Sequence, residues 1–185
     1  MSQLVLMIAK IDDLDNPETL TEVWRRTMPV VELSGVTSEH YLDGLESAVT
    51  EVGWDAMRNL IAEQWRLTDT LLVERFRQEQ AEATVGDGYD SLKVASRLGV
   101  VHLPRQICYR PGADRHTLPG NAGLPEHEGQ VTTRGLQEWV CLLPQSLPFG
   151  TAERLLGWMT HDPQVNVGSA VALVGVSAWT NHPKG

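Results

Sequence analysis

Only two cysteines, Cys108 and Cys141, occur in the 185 residues. That is too few for a disulfide-stapled secreted scaffold and fits a reducing compartment, so a cytoplasmic protein is expected. Long hydrophobic runs are missing too. Leu4 to Ala9 is brief, has no basic residue before it, and reads as a buried strand or helix turn rather than a signal peptide. The apolar stretch near the end contains Asn166 and Ser169 and is shorter than the ~20 residues of a membrane helix. No Gly-rich phosphate loop, Gly-x-Ser-x-Gly elbow or His-Glu-x-x-His helix is present, so the familiar catalytic constellations and a cofactor are not expected. Asp12 with Asp13, and Glu126 and Glu128 around His127, read as solvated acidic surface.

Positive charge is scarce in the first half. Residues 1–90 hold 7 Lys or Arg against 18 Asp or Glu, whereas residues 91–185 hold 8 against 6. An acidic first half repels phosphate backbones, which leaves nucleic-acid contact to the second half. The overall 42% hydrophobic and 21% charged content is that of a globular chain with a packed core.

Asn16-Pro17-Glu18 has the residues of a helix start, with a capping side chain, a proline for the first turn and an acid for the positive end. This helix is expected to end near Arg26. A second helix is expected from Thr37 or Ser38 to Gly53, on the spacing of Tyr41, Leu42, Leu45, Ala48, Val49 and Val52. Trp54, Met57, Ile61, Trp65, Thr68, Leu72 and Phe76 then step by three or four residues, close to a straight helix rather than a left-handed zipper. Gly86-Asp87-Gly88 is expected to break that helix. From Lys93 to Arg110, Val and Ile dominate around a turn at Gly99, which predicts two short strands, with Pro104 confining the second to an edge or bulge. Pro111 to Gln130 reads as an irregular loop.

Thr132 or Thr133 then caps a helix with Leu136, Trp139, Val140 and Leu143 on one face. Pro144 and Pro148 bracket a turn, and Phe149, Ala152, Leu155, Leu156 and Met159 form the face of a second helix. Two helices this short cannot bury both faces alone, so something must cover them. A helical hairpin and a helix-turn-helix both fit this pattern.

The run from Ser96 to Gln164, above all TTRGLQEWVCLLPQSLPFGTAERLLGWMT after a strand ending in Cys108, resembles the amino-terminal region of bacterial insertion-sequence transposases of the Kra and Lre type. The resemblance implies an acidic helical leader, a cysteine-bearing hairpin and a helix-turn-helix ahead of a larger DDE-type nuclease. Two departures limit it. Relatives with a zinc turn have Cys-x-x-Cys-Gly, whereas Cys108-Tyr109-Arg110-Pro111-Gly112 has proline at the second sulfur. Cys108, His116 and His127 could supply three ligands where a tetrahedral structural site wants four. Relatives also continue past Gln164 with an arginine-bearing recognition helix and the nuclease, where this sequence runs Val165 to Gly185 with one charged residue. That change has the look of a frame slip or truncation, with a small native strand or hairpin as the competing explanation.

The expectation is therefore a mainly α protein: an acidic helical bundle or long helix over 1–90, a β-hairpin and loop over 91–130, a helix-turn-helix-like pair over 131–164 and an atypical irregular tail over 165–185. Its expected role is a non-catalytic DNA-end-binding or regulatory module, with transposon-end DNA and a full-length transposase relative as partners. Lys93, Arg97, Arg105, Arg110, Arg115, Arg134 and Arg154 are the candidate phosphate contacts, being nearly all the positive charge of the second half. The alternative is a homodimerisation module built on the helices between Thr37 and Ala83.

Overall fold

A computed structural model of the chain describes residues 3–13, 16–29, 38–113, 115–124 and 131–165. Of these, about 51% are helical and 31% lie in strands, forming a two-stranded and a three-stranded sheet. This overturns the mainly α expectation. The chain divides into two compact units, Met1–Glu63 and Gln64–Gly185.

The first unit contains the largest departure. Asn16 does cap a turn, its Oδ1 accepting the Glu18 N–H at 3.3 Å, but the turn stops after Pro17–Thr19. The next segment, LTEVWRRTMP, is a strand, because it is rich in β-branched and aromatic residues that pack better on a pleated surface than on a helix. β1 (Gln3–Ile11) and β2 (Leu20–Pro29) make an antiparallel ribbon with a bulge after Ile8. Leu4 to Ala9 is thus a strand, yet not a buried one, since Leu4 through Met7 are all exposed.

α1 (Ser38–Glu79) runs unbroken through Gly53, so the two expected helices are one. A mid-helix glycine costs only about 1 kcal/mol relative to alanine, which packing on either side offsets. Gly86-Asp87-Gly88 lies inside β3 (Thr84–Ser96), where the register with β4 (Gly99–Tyr109) shifts between Val85 and Tyr89. The Gln106 side-chain amide fills this bulge, donating to Gly86 O at 2.6 Å and Gly88 O at 3.0 Å. The hairpin therefore begins before the expected Lys93. Its turn is at Gly99, with φ +92°, and β4 is an edge strand as Pro104 requires. The Pro111 to Gln130 stretch holds a 3-10 turn at Pro119–Gly123 and a bridge between Cys108 and Thr117.

β5 (Val131–Thr132) pairs parallel with β3 and leads into α2 (Arg134–Ser146), then α3 (Phe149–Thr160). Thr133 caps α2, its hydroxyl accepting the Leu136 N–H at 3.4 Å. Pro144 is inside α2 instead of in the turn, close enough to the end that only a last-turn bond is lost. Leu136, Val140 and Leu156 pack with Ala95, Val100 and Val165, so the hairpin end and the start of the expected tail provide the cover that the pair needed. The remainder of that tail, 166–185, lies outside the described residues.

Candidate nucleic-acid interface

Two clamps hold the α2–α3 pair on the hairpin end. Arg97, just past β3, donates from Nε to Gly135 O at 2.8 Å, pairs through Nη2 with Glu138 at 2.9 Å, and lies 4.9 Å over the Trp139 ring. A Cβ at Gly135 would lie 2.8 Å from that Nε, so glycine is what lets the guanidinium approach the helix. On the α3 side, Asp162 accepts the Val100 N–H at 2.8 Å and the Gln164 N–H at 2.9 Å. The chain reverses there because His161 takes a left-handed conformation, φ 49°, and its N–H bonds back to the last turn of α3.

The seven candidate cations separate into two groups. Arg105 is turned inward: its side chain is 11% exposed, Nη2 is bonded to Asp90, and Nη1 donates to Asn121 Oδ1 at 2.6 Å. Arg97 is committed to α2 through Gly135 and Glu138. Lys93, Arg110, Arg115, Arg134 and Arg154 are exposed. Arg110 rests 5.0 Å over Phe76. The Arg134 side chain is 93% exposed and only loosely paired with Glu138, at 3.8 Å. Arg154 lines a cleft of about 660 Å³ together with Trp158, which is 72% exposed. Lys93 and its cross-strand partner His102 lie on the hairpin face that two residues on carries Ala95 and Val100, the face on which the helical pair sits.

The zinc candidates do not assemble. Cys108 is fully buried against Val73, Phe76 and Ala83, His116 is exposed and His127 lies outside the described residues. Among the described residues no three His, Cys, Asp or Glu side chains converge as a metal would need. Burial pushes the Cys108 thiol up, the nearby Asp69 charge adds to this, and Arg77 opposes it.

Asp69 is a residue that the sequence reading misses. It lies on the buried face of α1, 2% exposed, and its Oδ2 accepts the Gln106 N–H at 2.7 Å while Oδ1 has no partner. One turn earlier Trp65 donates its indole N–H to Pro104 O at 3.0 Å. A helix rises about 6 Å in four residues and a strand advances about 6.6 Å in two, so positions 65 and 69 match 104 and 106. The outer edge of β4 is closed by these two side chains and by Thr117, which exchanges two backbone bonds with Cys108. The sequence does hold a signal for it: an aspartate inside an apolar helical stripe, between Trp65 and Phe76. Desolvation pushes the Asp69 carboxyl above the usual range, against the pull of the Gln106 N–H and of Arg105.

No protein-family model matches the chain, and no curated protein or solved structure does either. Among the described residues no helix is long and apolar enough to cross a membrane.

Proposed function

We propose that this chain is a non-catalytic DNA-binding module of an insertion-sequence element, similar to the amino-terminal part of a transposase, and that its second unit contacts the element's DNA ends. The observation that carries this reading is the α2–α3 pair clamped on the hairpin by Arg97 and Asp162, with one solvent-facing arginine on each helix, Arg134 and Arg154. A pair held at both ends presents its outer surface at low entropic cost, and arginines not buried in internal ion pairs are the ones accessible to phosphate. Lys93 extends the positive surface along the same hairpin face. Trp158, one turn from Arg154 on α3, adds an exposed ring of the kind that stacks on an unpaired base. Arg105, turned inward, holds the fold and leaves the set of phosphate contacts, whereas Arg97, bonded to α2 yet 44% exposed, stays in it.

The test is selection from a random duplex pool by the purified chain, followed by fluorescence anisotropy of the enriched duplex over a salt series. Enrichment of one motif, with affinity falling steeply as salt rises, supports the reading. Absence of binding at low salt sinks it.

A further inference from the structure

One face of α3 and the chain that returns after it bound an open cleft of about 660 Å³, a size at which small molecules bind. All of its lining residues belong to the second unit. Glu153 and Gly157 stand one turn apart on α3, with Arg154 and Trp158 on the adjoining row. Gly157 has no side chain, so helix backbone forms the floor, and even a Cβ there would come no closer than 4.0 Å to Asp162 O. Trp158, at 72%, is the most exposed large apolar side chain among the described residues. The cleft thus offers a ring to its occupant.

The charges around it define the rest of that occupant. Arg154 is the one lining residue with a permanent positive charge, and neither it nor Glu153 has an ion-pair partner among the described residues. The other carboxylate, Asp162, is engaged by the Val100 and Gln164 N–H groups. Two acids and the carbonyl end of α3 face one arginine, so a run of phosphates is repelled while a single phosphate can rest on Arg154. Glu153 can only accept hydrogen bonds, so the ring on Trp158 must bring donors. A nucleotide combines a flat ring, donors and one phosphate. Guanine is the base whose pairing edge carries two neighbouring donors, N1–H and N2–H, the arrangement that a carboxylate accepts with both oxygens. In a duplex that edge is already used.

We infer that this cleft holds one unpaired guanine nucleotide at a DNA end, its base on Trp158 and against Glu153, its phosphate on Arg154. This use of the cleft rests on the DNA-binding reading of the second unit. An overhang supplies such a base at no unpairing cost, whereas a blunt end must first open. A free guanine nucleotide has the same chemistry, so both sources enter the test.

Fluorescence anisotropy of the full chain with labelled duplexes at low salt makes the comparison. A duplex ending in an unpaired guanine should bind about 10-fold or more tighter than the same duplex with a blunt end, and about 10-fold tighter than one ending in an unpaired adenine. Glu153→Gln should level the two overhangs. Gly157→Leu fills the cleft without a change of charge, so it should erase the gain from the overhang and leave blunt-duplex affinity as it was. Saturation-transfer NMR with GMP and AMP supplies a measurement independent of DNA, in which GMP should be favoured and its signal lost in Gly157→Leu. Equal affinity of the parent for the blunt duplex and the guanine overhang overturns the inference while leaving the DNA-binding reading in place. GMP favoured over AMP with no gain from the overhang would assign the cleft to a free nucleotide and overturn its role at a DNA end.

Discussion

Asp69 accepts the backbone N–H of Gln106 at 2.7 Å, so that a buried carboxylate on a long helix closes the free edge of a β-strand. The arrangement prevents β4 from recruiting a foreign strand, the usual hazard of an uncovered edge. It also places an anion where water is excluded. Asp69→Ala should lower stability by about 1–3 kcal/mol in urea denaturation, since it leaves the part-buried Gln106 N–H without its acceptor.

Asp69→Asn keeps an acceptor for Gln106 and removes the charge. Burial raises the folded-state pKa of Asp69 above its unfolded value, so the folded chain binds more protons than the unfolded one between those two values. The contribution of this group is most favourable below the unfolded pKa, about 3.9, and is lost as pH rises through the folded pKa. The stability of the parent relative to Asp69→Asn should therefore fall over that window as pH increases, and denaturation series at several pH values check it. A difference that rises with pH would mean that the Gln106 N–H and Arg105 together outweigh desolvation.

Gly120 presses on the same carboxylate. A Cβ there would run into Asp69 Oδ1 and come within 3.4 Å of Arg105 Cγ. Gly120→Ala should cost about 1–3 kcal/mol through overpacking. Gly150→Ala, at a helical position with nothing within 4 Å of its Cβ, should be neutral or slightly stabilising. Thermal unfolding of the two variants separates crowding from a general intolerance of alanine.

These positions also mark where sequence patterns inform and where they mislead. The hairpin turn at Gly99, the edge position forced by Pro104 and the Thr133 cap arise from local chemistry, and they are legible. Residues 16–29 are not, because Asn16-Pro17-Glu18 satisfies the rules of a helix start whether or not a helix comes after it. The β-branched residues beyond it decide the matter. Arg105 reads as one more surface cation until the register, running unshifted from the turn at Gly99, sets it opposite Asp90 on a part of β3 that lies before the expected strand start at Lys93. Gly53 reads as a stop, yet a glycine in α1 with nothing near its Cβ position imposes no break of its own. Asp69 is hidden in plain view, since periodicity counts apolar residues and passes over the polar one they surround.

The two cysteines should differ in reactivity. Cys141 is exposed on α2, whereas Cys108 is buried and its thiol is pushed up by desolvation and by the Asp69 charge. The thiolate is the reactive form. One equivalent of maleimide should therefore react quickly with the native chain at neutral pH and the second only on unfolding, as mass spectrometry of timed samples would reveal. Fast labelling of both would place the α1–β4 packing around Cys108 in doubt.

Arg105→Ala and the pair Arg134→Ala with Arg154→Ala should fail in different ways. Arg105 is held between Asp90 and Asn121, so its removal strands a partner carboxylate and should cost about 2 kcal/mol, less than a fully buried pair because Asp90 is half-exposed. At temperatures where the variant remains folded, its salt dependence of DNA binding should be that of the parent. Arg134 and Arg154 have no comparable internal role, so removing both should leave the urea midpoint nearly unchanged. Instead, the slope of log affinity against log salt should shrink by about 0.9 for every phosphate that an arginine no longer neutralises. Denaturation and anisotropy on the same three proteins give both quantities. A double variant with an unaltered slope would remove α2 and α3 from the interface, and the positive surface around Lys93 would then have to account for any binding alone.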